Sequence, residues 1–158
     1  MVIKTLSFAQ RSLLFAKLSK IAYYNIKQAK KQAEKLGFTE VEFYNKKGAQ
    51  AYRFMNKSDV VIACRGTEPT QFNDISADLK AMPVVPETVS RVHSGFKAEV
   101  DELWPNIMAD LMSKQPKQRL WFCGHSLGAA MATIMASRCH YNTKILTHKN
   151  FIHTVPLE

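Results

Sequence analysis

A short apolar run, Trp121-Phe122-Cys123, leads into Gly124-His125-Ser126-Leu127-Gly128 and then into an alanine-rich stretch from Ala129 to Ala136. This order fits a strand that turns sharply into a helix. Ser126 would then sit at the turn in strained backbone angles, which tolerate only small residues two positions to either side. Gly124 and Gly128 meet that demand. Such a turn lifts the serine hydroxyl clear of the sheet, and the start of the helix aims backbone N–H groups at an oxyanion formed when that hydroxyl attacks a carbonyl. The amide of Leu127 is the natural first donor. Gly-x-Ser-x-Gly also occurs in ordinary turns, but the buried-strand pattern of Leu120 to Cys123 and the lack of bulk in the following helix favour a nucleophile elbow.

A chain of 158 residues has room for one domain with a real core. Hydrophobic residues at 46% and charged residues at 22% exclude a disordered chain, and no apolar stretch has the length of a transmembrane helix. No signal peptide is evident, because Arg11, Lys17 and Lys20 interrupt the apolar run near the start. Cys64, Cys123 and Cys139 are an odd count without metal-ligand spacing, and two of them lie in apolar strand-like runs where they would behave as small buried hydrophobes, which fits a reducing, cytoplasmic setting. Neither a metal nor a cofactor is expected.

Lysine and arginine number 22 against 13 acids, a formal charge of +9, with much of the excess near the start. One helix is expected from about Ser7 to Leu36. At about 100° per residue, Leu14, Leu18, Ala22, Ile26, Ala29, Ala33 and Leu36 share a face, and Lys20, Lys27, Lys30, Lys31 and Lys35 gather opposite. The plain reading is a solvated lysine face over a packed helix; the functional one is attraction to anionic lipid or nucleic acid. No aromatic interleaving supports nucleic acid.

Beyond Gly37 come short β-type segments: Thr39 to Tyr44, Ala51 to Met55, and the central-strand run Asp59 to Cys64. Arg65-Gly66-Thr67-Glu68 follows at the carboxyl end of that run, where α/β folds place reactive groups. Thr67 is either a second oxyanion donor or an ordinary residue in a glycine turn. The stretch Thr70 to Met82 carries Phe72, Ile75 and Leu79 at helical spacing and reads as a surface helix or as a lid over the site. Val89 to His93 reads as a strand, followed by a helix to about Lys114.

Arg65-Gly66-Thr67-Glu68, Val92-His93-Ser94-Gly95-Phe96 and Gly124-His125-Ser126-Leu127-Gly128-Ala129-Ala130, in this order, resemble the class 3, fungal-type lipases. The resemblance runs from the N-terminal helix to about Arg138. It implies an α/β-hydrolase fold, a mixed sheet flanked by helices, and hydrolysis of carboxylic esters, often acylglycerols, through an acyl-enzyme. By the same resemblance Ser126 is the nucleophile, Thr67 and Leu127 form the oxyanion hole, segment 70–82 is the lid that meets a lipid interface, and His93 and His125 are structural.

The departure lies after the elbow. The family's acid and base follow the serine, whereas the 32 residues after Ser126 contain no aspartate and one acid, Glu158; the surroundings of His140, His148 and His153 do not match the family's histidine segment. The expectation is a lipase domain truncated after the elbow helix, residues 1–142, with impaired activity, and a tail, 143–158, read out of frame. That tail permits Leu-Tyr-Thr-Tyr-Gly-Ser-Pro-Arg in a displaced frame, close to the family's next strand. The rivals are another serine acyl hydrolase (thioesterase, peptidase or acyltransferase) and a non-catalytic basic membrane-surface or interaction protein.

Overall fold

A computed structural model describes residues 1–66, 83–84, 92–114, 118–141 and 153–157. After a 3-10 turn at Ile3–Thr5, helix α1 (Phe8–Ile21) opens at Ser7, whose side chain accepts from the Gln10 amide while the Gln10 side chain accepts from the Ser7 amide. This reciprocal cap fixes the start of the helix. The expected single helix to Leu36 is in fact two. Helix α1 stops at Ile21, and α2 (Ile26–Lys35) begins anew at Asn25, whose side chain accepts from the Gln28 amide at 3.0 Å. The apolar period runs through the break because both helices bury their inner faces on the same side of the sheet.

Three strands follow as an antiparallel meander: β1 (Glu40–Lys46), β2 (Ala49–Met55) and β3 (Asp59–Cys64). Lys47 and Gly48 make the first turn with φ of 49° and 92°, the pair of positive angles that a two-residue hairpin of matching twist requires. Strands β4 (Pro83–Val84) and β5 (Val92–His93) form a separate antiparallel pair ahead of helix α3 (Ser94–Lys114). Strand β6 (Arg119–His125) then joins β3 in parallel, helix α4 (Leu127–Tyr141) follows, and β7 (His153–Leu157) lies parallel to β6. The five-stranded sheet has the order β1-β2-β3-β6-β7. The domain boundary expected at residues 142 and 143 falls outside the described residues.

Helices cover both faces of this sheet, which explains why β3 is apolar at every position after Asp59. Val61 and Ala63, with Trp121 and Cys123 of β6, face the α1–α2 layer and pack with Phe15, Leu18 and Phe54. Val60, Ile62 and Cys64, with Phe122, face α3 and α4 and meet Val100, Leu103, Ile107, Met131 and Met135. Trp121 is fully buried, with the Phe15 ring at 5.6 Å. A side chain of this size contributes on the order of 2–3 kcal/mol when buried.

Asp59 is wholly buried at the amino end of β3, where its carboxylate accepts from the Ile3 amide at 2.9 Å and the Trp121 indole at 2.8 Å. The chain start is thereby tied to the centre of the sheet. On the other layer, Asp101 of α3 accepts from Arg138 of α4 and from Lys97. Burial works to raise the Asp101 carboxyl, but those hydrogen bonds and charges outweigh it and hold the group below its ordinary value. Arg53, also buried, pairs with Asp110 at 2.7 Å, and Asp110 accepts in turn from the Tyr44 hydroxyl.

The three thiols are free and buried, where the sequence suggested burial for the two in strand-like runs. Burial pushes Cys123 and Cys139 up to about 12 and raises Cys64 as well. Because the thiolate is the reactive form, none should react with a maleimide or aromatic disulfide in the folded protein, and all three should react once denaturant is added. Rapid labelling of the native chain would contradict this packing.

Candidate active site

The register of β3 on β6 sets up the site. Cys64 pairs with Gly124, so the residues leaving β3 and those leaving β6 emerge side by side at the carboxyl edge of the sheet. At that edge Ser126 takes φ of 56°, a left-handed value that a side chain adopts only when its surroundings impose it. Three glycines supply the constraint. A Cβ on Gly124 would lie 2.2 Å from the carbonyl carbon and oxygen of Gly128, and one on Gly128 would lie 2.3 Å from the Cys64 carbonyl oxygen. One on Gly66 would lie 2.7 Å from the His125 carbonyl oxygen and 3.1 Å from the Gly128 nitrogen. Strand end, elbow and helix start therefore meet backbone to backbone.

Helix α4 begins directly after the serine. The Ala129 amide bonds to the Ser126 carbonyl at 2.9 Å. Leu127, the first residue of the helix, has no intrahelical acceptor for its amide, and its side chain is buried, so the backbone at this position is firmly seated. Ser126 itself is partly exposed. The expected elbow residues Gly124, His125, Ser126, Leu127 and Gly128 thus stand together. Thr67 and the lid-like segment 70–82 lie outside the described residues; the part of that loop within them, Arg65-Gly66, lies against the elbow.

The exposed His125 side chain approaches the Tyr23 ring edge-on, centroids 6.4 Å apart. Tyr23 belongs to the link between α1 and α2 and was not foreseen at the site, because a continuous helix would have carried it along the sheet. Its hydroxyl would be 2.8 Å from a Cβ on Gly66, and the Arg65 guanidinium lies over its ring at 5.5 Å. Arg65 is held by Gln50 at 2.7 Å, and the Tyr52 hydroxyl donates to the Tyr24 carbonyl at 2.7 Å. Asn25, a capping residue inside an apparent helix, was the available signal for this break. Among the described residues no cluster of ligating side chains could hold a metal ion.

Comparison with known proteins sets this geometry in context. Residues 61–155 match the sequence profile described as lipase (class 3). The triacylglyceride lipase of Rhizomucor miehei superposes with a TM-score of 0.67 at 20% identity, over 93% of this chain and 62% of that one. Lipase II of Rhizopus niveus gives 0.67 at 19% identity, over 93% and 62%. A triacylglycerol lipase described as having a serine-protease triad as its catalytic centre gives 0.69 at 20%, over 93% and 61%. The fold is that of the fungal α/β-hydrolases, and the chain spans about three-fifths of these lipases' length. No curated protein sequence matches it.

Proposed function

The chain belongs to the class 3 lipase family, and from that premise we propose that it carries the nucleophilic half of a carboxylic ester hydrolase acting on acylglycerol-like lipids, with Ser126 as nucleophile. The positive φ of Ser126, braced by three glycines, is the observation that supports this most. Strain of this kind is retained where the surrounding packing over-determines it, and it clusters at reactive groups.

In the proposed reaction the Ser126 oxygen attacks the ester carbonyl carbon while its proton passes to a general base, the role that triads give to a histidine. The resulting oxyanion is held by the Leu127 amide and by Thr67. Collapse expels the alcohol, which takes up the proton, and water then releases the acid and frees the serine. The positive end of α4 stabilises the same negative charge. Segment 70–82 would cover the site in water and open at a lipid interface.

The test is hydrolysis of short p-nitrophenyl esters and of long-chain acylglycerols, together with labelling by a fluorophosphonate. Ser126→Ala should abolish labelling and reduce any ester turnover to background. Turnover unchanged in that variant would overturn the assignment, and cleavage of peptides alone would move it to another class of serine acyl hydrolase.

A further inference from the structure

We propose that the outward face of the α1–α2 layer is a docking surface for an anionic phospholipid bilayer, separate from the catalytic edge. The first 36 residues hold eight cations against one acid, Glu34, so seven of the nine net positive charges belong to this layer. The helices turn their small and apolar residues inward, with Leu14, Phe15 and Leu18 of α1 and Ala29 and Ala33 of α2 buried on the sheet. Helical geometry then places Lys17 and Lys20 of α1, and Lys27, Lys31 and Lys35 of α2, on the outward side, where all five are exposed. Among the described residues none of these five ammonium groups forms an ion pair. The opposite layer behaves differently: there Lys97 and Arg138 pair with Asp101, and Lys47 pairs with Glu102. Among the described residues the two layers therefore differ, the cations of one being paired with acids and those of the other left open.

Charge alone would suit any polyanion, and the apolar groups on this face select a membrane. Leu13, 57% exposed, lies at the middle of the outward face of α1, within a turn of Lys17. Phe8 is 76% exposed at the start of α1. Lysines that reach headgroups around an apolar side chain that enters the acyl boundary are the composition of an interfacial helix. A nucleic acid would leave Leu13 unsatisfied. Each lysine near an anionic leaflet strengthens binding by about fivefold, and no single residue dominates. No described helix is long and apolar enough to cross a membrane, so the contact is peripheral.

The experiment is flotation of the full chain with phosphatidylcholine vesicles, with and without phosphatidylglycerol. Binding should be at least about tenfold tighter to the anionic vesicles and should weaken steeply as salt is added. Equal binding to both vesicles, or none to either, would overturn the proposal. Lys17→Gln/Lys20→Gln/Lys27→Gln should weaken binding by tenfold or more and Leu13→Ser by a few-fold, with unchanged circular dichroism because all four positions are exposed. Full affinity in the triple variant would refute the surface. Tight binding to duplex DNA with no vesicle binding would assign the face to nucleic acid instead. Ser126→Ala should bind vesicles normally, since this surface does not depend on the ester-hydrolase reading.

Discussion

Gly124→Ala should destabilise the fold severely. The added methyl would lie 2.2 Å from the Gly128 carbonyl carbon and oxygen and 2.7 Å from the Ala129 nitrogen. All three obstacles are backbone, so no side chain can swing aside, and relief requires pulling α4 off the end of β6. Overpacking a tight interior costs roughly 1–3 kcal/mol even where side chains can adjust, and more where they cannot. Against a total stability on the order of 5–15 kcal/mol, this single methyl is expected to remove at least a third. Soluble yield and urea unfolding would measure it. Gly48→Ala is the control: it has a φ of 92° and nothing within 4 Å, so it bears only the backbone penalty of about 1 kcal/mol. A Gly124→Ala midpoint equal to that of Gly48→Ala would show that the elbow is not packed in this way.

Asp59→Ala should be the second most damaging change, at about 3–4 kcal/mol. Two donors, the Ile3 amide and the Trp121 indole, would lose their acceptor, and each buried donor without a partner costs about 1–3 kcal/mol. Asp59→Asn should fare little better, because an amide can accept from one donor but turns its own N–H groups toward the other. The loss has a local signature besides the global one: Ile3 is fully buried, and without its anchor the first residues should become cleavable by protease before the sheet unfolds. Cleavage at the parent rate, with an unchanged denaturation midpoint, would show that this anchor contributes nothing.

Features set by neighbours in sequence were legible from the start. The β1–β2–β3 meander announces itself through three short β-type segments close to their observed bounds, and the elbow through two glycines flanking a serine between an apolar run and a small-residue helix. The break between α1 and α2 was hidden by its own packing: both helices face the same sheet, so the apolar period continues from Leu18 through Ala22 to Ala29 as though nothing intervened. Only the capping side chain of Asn25 records it. Tyr23 escaped for the same reason, since its approach to Gly66 and His125 depends on that break and on contacts far along the chain. Asp59 reads as the polar start of a strand, and nothing near it points to Ile3 or Trp121 as partners. The reason for the elbow glycines also became sharper than the motif implied. Gly128 is small not only for the turn but because the Cys64 carbonyl already occupies the place of a side chain.

The connectivity of the sheet imposes an order of assembly. Strands β1, β2 and β3 are joined by short turns and can pair as soon as they collapse, whereas β3 and β6 pair residues sixty positions apart, from Asp59 with Arg119 onward. Closing that long loop costs entropy before any contact returns it, and pairings of this kind form slowly. We expect the meander to exist while the Ser126 turn does not, because the carbonyl of Cys64 and the backbone of Gly128 that lock it arrive on opposite sides of the loop. The turn at Ser126 is thus among the last features of the chain to acquire its shape, and among the first to lose it when the sheet opens between β3 and β6.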